Sequence, residues 1–248
     1  IKPIGHHFEY SAQGNVITAI CTNDNTHIAK ASLYARNSWF MGPIYYNGSE
    51  QKCAYLSYGT DWEKYGLPTD TPIIYSGDLV NCGKVTAKAS IENATAECKY
   101  TIYPASIKYT YEMYDGIYDG NSHDAVKLNI ENDSINVEYS ADDGQSWSSE
   151  CPHIRDCGKL NLIVRLTGDN YQESTFNAVA KVSHDLQHVE AKEATAQENG
   201  NVEYWYCSGC DKYFLDEDGK TETTKADVSI SKLINLNVSA SDLTGKPI

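Results

Sequence analysis

Two short patterns each occur twice in this chain, and together they leave little room for anything but small antiparallel β units in series. Gly-Asn-Val-x4-Cys occurs at 14–21 and again at 200–207, and histidines precede it both times: His6 and His7 in the first copy, His184 and His188 in the second. Gly-Asn is a tight-turn signal, and the Val-to-Cys stretch after it reads as an outgoing strand. Between these copies lies a longer duplication. Tyr46-Asn47-Gly48-Ser49 matches Tyr118-Asp119-Gly120-Asn121, Ile74-Tyr75-Ser76 matches Glu138-Tyr139-Ser140, and Cys82-Gly83-Lys84 matches Cys157-Gly158-Lys159. Each Cys-Gly-Lys opens an alternating apolar run, at 85–89 and at 160–166, with turn residues every ten or so positions. Alternation of period two bounded by such turns is the pattern of an antiparallel sandwich.

The expected fold is all-β: tandem Ig-like antiparallel β-sandwiches with small β-hairpin modules, in an elongated multi-domain arrangement. The order reads as a hairpin module (1–32), two sandwiches (33–105 and 106–183), a second hairpin module (184–232) and the first strand of a further unit (233–248). The second sandwich carries an extra hairpin at 140–147, in which Asp143-Gly144 suits a type I′ turn. Helix is scarce. One capped turn is expected over 61–66, ending at Gly66 ahead of Pro68, and 189–194 reads as extended despite its helical composition. No 18-residue apolar run is present, so no membrane insertion is expected. A chain that starts at Ile1 and stops soon after the strand-like run at 234–240 reads as an excerpt of a longer exported protein.

Charge narrows the partners. Acidic residues outnumber basic ones 34 to 20, a formal charge of −14, and such a surface repels phosphate backbones and anionic lipid. Nucleic acid is therefore not an expected partner. The eight cysteines are even in number, which in a Tyr-rich β chain favours an oxidising, extracellular compartment. Cys151 and Cys157 flank one loop and could close a local disulfide. Cys21, Cys53, Cys82 and Cys98 allow three pairings. Cys53–Cys98 would tie the layers of the first sandwich, and Cys21–Cys82 would then fasten the hairpin module to it. Each closure would stabilise by roughly 3–4 kcal/mol on the chain-entropy account.

The stretch from His184-Asp185-Leu186 through Glu190-Ala191-Lys192-Glu193-Ala194-Thr195 and 200–210 to Tyr213-Phe214 resembles a repeat of large cell-surface proteins from Gram-positive gut anaerobes. The opening, from His7-Phe8 through Tyr10-Ser11-Ala12 to 14–21, is similar to a companion repeat of the same proteins, and both sandwich stretches resemble their bacterial Ig-like repeats. The resemblance implies an extracellular, bacterial cell-surface location and use as a stalk, an adhesin or a binder of host proteins. Some members bind immunoglobulins through variable-domain frameworks, like superantigens. Related repeats often place a Cys or His after the Ala-Thr pair, where this chain has Ala196 and Gln197.

Cys207-Ser208-Gly209-Cys210 is the sharpest chemical motif. A Cys-x-x-Cys knuckle sets two sulfurs on one turn, half of a tetrahedral zinc site, and His184 and His188 have a His-x3-His spacing that zinc modules use. A module this short gains from a metal staple. A Cys207–Cys210 disulfide or two free thiols remain open alternatives, so the only cofactor expected is a structural zinc, and none is catalytic. His6, His7, Cys21 and His27 make a second metal candidate, although the gap of six from Cys21 to His27 is loose and surface histidines are the plainer reading. The Trp-Tyr-Cys neighbourhood of Cys207 lacks the helix that a thioredoxin site needs. No Gly-x-Ser-x-Gly, Walker loop, dinucleotide fingerprint or His-Glu-x-x-His occurs, and no enzyme is expected.

The expected function is thus non-catalytic binding of a host macromolecule by a monomeric surface segment. A protein such as immunoglobulin leads, a mucin glycan follows, and a rigid spacer is the rival from another class. Nineteen tyrosines, among them Tyr45, Tyr46, Tyr55, Tyr58, Tyr109, Tyr111, Tyr114 and Tyr118, offer rigid contact area. Packing between strands would use the same rings equally well. Trp39, Trp62 and Trp147 fall in separate segments, so the sequence outlines no sugar platform. An exposed aromatic patch would favour a binder and dispersed tyrosines a spacer.

Overall fold

The computed structural model describes residues 5–36 and 42–233; Trp39 and the strand-like run at 234–240 lie outside them. The described chain is mostly strand, with several antiparallel sheets and few helices, so the all-β expectation holds at that level. It forms two compact units, one of residues 1–107 with 167–174, the other of 108–166 with 175–248.

In the first unit, β1 (Phe8–Gln13), β2 (Val16–Cys21), β3 (Ile28–Ala35) and, after the two-residue β4 (Ile44–Tyr45), β5 (Ala54–Tyr58) supply one sheet in the order β1-β2-β3-β5. The short helix α1 (Thr60–Lys64) follows, and then β6 (Ile73–Ser76), β7 (Gly83–Ile91) and β8 (Ala94–Tyr103) join β4 in a second sheet, ordered β4-β8-β7-β6. The inward positions are small: Ala19, Ala29, Ala31, Ala87, Ala89 and Ala96 are all buried in one core drawn from both sheets. Trp62 of α1 occupies the volume they leave. It is fully buried, packs near Tyr10 and Tyr58, and donates from Nε1 to the Pro68 carbonyl at 2.9 Å. The helix ends where the sequence indicated, with Gly66 in a left-handed conformation (φ 65°).

The first hairpin is not a separate module. The expected boundary at 32/33 falls inside β3, and β3 pairs on its far side with β5, from Ala31↔Tyr58 to Ala35↔Ala54. Alternation explains this: Ala29, Ala31, Leu33 and Ala35 form one uninterrupted buried face, which no break at 32 would preserve.

The second unit begins after β9 (Ala105–Ser106). Its strands are β10 (Tyr109–Met113), β11 (Asp115–Ile117), β12 (His123–Asp124), β13 (Val126–Ile130), β14 (Asn136–Ser140), β15 (His153–Ile154) and β16 (Gly158–Thr167). β17 (Tyr171–Gln172) belongs to the first unit and pairs parallel with β9. β18 (Ser174–Ser183) then completes a sheet in the order β11-β18-β16-β14. The internal duplication is visible here as topology. In both units a short edge strand runs parallel to the last long strand, β4 with β8 and β11 with β18. After each edge strand an Asx-turn follows: Asn47 Oδ1 accepts from Ser49 N, and Asp119 Oδ1 from Asn121 N, both at 2.9 Å. Gly83 and Gly158 open the matched strands with φ of 152° and 145°.

The rest of the second unit is β19 (Leu186–Val189), β20 (Gly200–Asn201), β21 (Tyr204–Cys207), β22 (Lys212–Phe214), β23 (Glu222–Thr223), α2 (Lys225–Val228) and β24 (Ser229–Ile230). β19, β21, β22 and β23 make an antiparallel sheet in that order. The two Gly-Asn copies differ. Gly14-Asn15 is the tight turn joining β1 to β2. Gly200-Asn201 instead lies in β20, where a Cβ on Gly200 would collide with the Lys192 carbonyl. The reason is length, because β19 and β21 are separated by residues 190–203 rather than by two.

Candidate metal centre

The Cys-x-x-Cys knuckle follows β21, whose Cys207 is buried and faces Leu186 across the sheet. Gly209 sits flat against the ring of Tyr118, where any Cβ would collide, so a glycine is needed to pass this point. Asp211 takes a left-handed φ of 55° and, held by the Tyr206 hydroxyl at 2.9 Å, leads into β22. His184 follows β18 and Cys157 precedes β16, and these ends adjoin: the Cys157 thiol reaches the Ser183 carbonyl at 4.0 Å.

Cys157, His184, Cys207 and Cys210 therefore converge, with one ligand atom from each within 4.8 Å of all the others. Cys157 Sγ lies 3.7 Å from Cys207 Sγ, and Cys210 Sγ 3.2 Å from His184 Nδ1. A tetrahedral zinc about 2.3 Å from each sulfur sets S···S edges of about 3.8 Å, whereas a disulfide needs about 2.0 Å. The first distance fits the metal and not the bond. Three thiols and one imidazole complete four-coordination from protein alone, the arrangement of a structural zinc site. The cluster is thus a possible metal-binding site, compatible with structural zinc.

Its electrostatics keep three of the four groups uncharged. Burial, helped by the Lys212 charge, lowers the pKa of His184, so the ring stays neutral and keeps a lone pair. Burial and the neighbouring Cys207 push the Cys157 and Cys210 thiols up. Burial also opposes ionisation of Cys207. Hydrogen bonds from the Cys210 thiol, the Cys210 and Gly209 backbone amides and the Cys157 thiol outweigh it there and bring Cys207 down.

Three of the four residues expected from sequence are in this cluster, and His188 is not. A strand advances about 3.3 Å per residue, so His188 lies roughly 13 Å beyond His184, while a His-x3-His pair converges only on a helix. His188 instead stacks on Trp205 at 4.8 Å and pairs with Glu203 at 2.8 Å. The fourth position belongs to Cys157, which sequence reading placed in a disulfide with Cys151. No local spacing links it to a knuckle 50 residues later; the only signal was its matched place in the duplicated Cys-Gly-Lys.

All eight cysteines are free thiols, so none of the three expected bridges is formed. Cys151 donates to the Val126 carbonyl at 3.3 Å while Cys157 faces Cys207. Cys53 and Cys98 pack on the same cluster of Val85, Tyr100 and Ile102 without bonding. Cys82 approaches the Asn170 carbonyl at 3.6 Å, and Cys21 approaches His6 Nδ1, also at 3.6 Å. The His6 contact lowers the Cys21 pKa to about 6. His6, Cys21 and His27 come together in the first unit, whereas the exposed His7 side chain is not among them. No protein-family model matches the chain, and a search of curated proteins found no match.

Proposed function

We propose that this chain is a non-catalytic segment of an exported bacterial surface protein, built from Ig-like sandwiches and a zinc-stapled hairpin module. In this reading it binds a host protein, with immunoglobulin the boldest candidate. The observation that carries it is the set of exposed tyrosine pairs in the first unit. Tyr34 and Tyr55 face each other across β3 and β5 at 40% and 43% exposure, and Tyr45 and Tyr103 across β4 and β8 at 55% and 45%. Their ring centroids are 5.9 Å and 6.3 Å apart. Tyrosines fixed on strands present amphipathic area at small entropic cost, the chemistry of protein-recognition hot spots.

A spacer is favoured by one specific observation. Tyr34 alternates with buried Leu33, and Tyr103 follows buried Ile102, which belong to separate core clusters, so the two pairs lie on the outer faces of two different sheets. They do not merge into one patch. The deciding experiment is a pull-down of the full chain against intestinal secretions, run beside Tyr34→Ala/Tyr55→Ala and Tyr45→Ala/Tyr103→Ala variants. Immunoglobulin of many specificities, lost in one of the variants, supports the binder and identifies its face. Mucin capture that deglycosylation abolishes replaces the protein partner with a glycan. Capture no greater than by a control domain leaves the spacer.

A further inference from the structure

The hairpin duplication extends to the register of its strands. Phe8 of β1 pairs with Cys21 of β2, and Leu186 of β19 pairs with Cys207 of β21. In both cases a histidine stands two residues before the residue that faces the cysteine: His6 in the first hairpin and His184 in the second. An antiparallel ladder that brings His184 to its cysteines must bring His6 beside Cys21, and it does, with Nδ1 3.6 Å from Sγ. A tetrahedral zinc holding one sulfur and one nitrogen sets that edge at about 3.6 Å.

The third member comes from the loop between β2 and β3. The His27 backbone carbonyl accepts from Cys21 N at 3.0 Å, which folds its ring back toward the end of β2. One ligand atom from each of His6, Cys21 and His27 lies within 4.8 Å of the others. The two nitrogens of His27 are differently placed. Nε2 faces the Asp24 carboxylate at 3.5 Å, and Asp24 is itself held by Thr26 N and Oγ1 at 3.0 Å and 2.6 Å. Nδ1 is buried and has no hydrogen-bond partner, the one such side-chain atom among the described residues. A carboxylate on one ring nitrogen and an orphaned lone pair on the other is how metal-ligating histidines are oriented. Ring packing alone brings His6, His27 and Tyr65 within 4.9–5.3 Å of one another, yet it gives no reason to bury Nδ1 unpaired.

We propose that His6, Cys21 and His27 form a second zinc site, with His27 ligating through Nδ1 and Asp24 orienting it. Zinc displaces the Cys21 thiol proton to solvent, takes three protein ligands and leaves its fourth position to water. The ion clips the segment leading into β1 to the β2–β3 loop.

The test uses the full chain, stripped with chelator, equilibrated with zinc and gel-filtered, with metal per chain measured by plasma mass spectrometry. The expected content is two zinc ions. Cys157→Ser is expected to remove one, and His27→Gln the other, so the double variant holds none. His6→Gln, at an exposed position, repeats the His27→Gln loss without touching the core, and far-UV circular dichroism confirms that each variant is folded. Cobalt substitution adds a second readout: the thiolate-to-cobalt band that remains in Cys157→Ser disappears on adding His6→Gln. A wild-type content of one ion, abolished by Cys157→Ser, overturns the proposal. So does a second ion that survives both His6→Gln and His27→Gln. Loss of the tyrosine-dependent capture proposed above would leave these metal counts unchanged, so the two readings fail separately.

Discussion

Cys157 and His188 carry opposite expectations that sequence spacing alone would have reversed. Replacing Cys157 by Ser removes one of three sulfurs from the cluster, whereas His188 is occupied by Glu203 and Trp205. Zinc competition with a chromophoric chelator should show Cys157→Ser weakened by at least tenfold and His188→Gln unchanged. The knuckle was legible because Cys207 and Cys210 share one turn and His184 flanks the module. Cys157 was not, since a sheet neighbour 50 residues away leaves no local periodicity. Acidic turns supply a second expectation at this scale. Asp142, held by Ser146 and Ser140, and Asp119, held first by Asn121 N and then by His123, both have their pKa lowered to about 2 from an ordinary 3.8. A carboxylate depressed in the fold stabilises fully above its unfolded value and loses that contribution as pH falls through the folded one. The contribution of these carboxylates to thermal stability should therefore be constant near neutrality and decline between about pH 4 and 2, with a shallower decline in Asp142→Asn.

The elements follow from sequence where periodicity is strict and depart from it where length decides. The alternating runs at 85–89 and 160–166 form β7 and β16, and their buried positions, Val85 through Ile91 and Leu162 through Leu166, keep to every second residue. The glycine that opens each of these strands stands out in the sequence only as part of a repeat; its φ near 150° is what turns the chain onto the ladder. What sequence reading could not show is that β3 serves two neighbours at once, because pairing partners are non-local. Tyr100 of β8 tests how the sheet is tied to the segment before β5. It is buried, its hydroxyl donates to the Gln51 carbonyl and accepts from Cys53 N, and burial lifts its pKa to about 12. Tyr100→Phe leaves the carbonyl without this donor and should destabilise the first unit by about 1–3 kcal/mol in urea melts, with an unchanged m-value.

At the scale of the whole molecule, the duplication and the unit boundaries do not coincide. A cut at 105, drawn from the repeat, would leave the first unit without residues 167–174, which belong to it. Those residues are more than filler. Asn170, in a left-handed conformation (φ 66°), accepts from Cys82 N through Oδ1 at 2.7 Å and donates from Nδ2 to Asn81 Oδ1 at 2.8 Å. Its backbone carbonyl accepts from Ala105 N at 3.0 Å, and Tyr171 places its ring edge-on to Tyr46 at 5.4 Å. The segment 81–84, which carries the first Cys-Gly-Lys, is therefore stabilised by a residue 88 positions beyond Cys82. Asn170→Ala in the full chain removes the acceptor for Cys82 N and should cost about 1–2 kcal/mol, read as a lower urea midpoint. Native-state hydrogen exchange should assign that loss to amides of β7 and β8, with those of β16 and β18 unaffected. A chain ending at 107 should fall further than the point variant, because it also loses the parallel pairing of β17 with β9. If the truncated chain instead matches the full one in its urea midpoint, residues 167–174 are not part of the first cooperative unit, and the repeat boundary is the physical one.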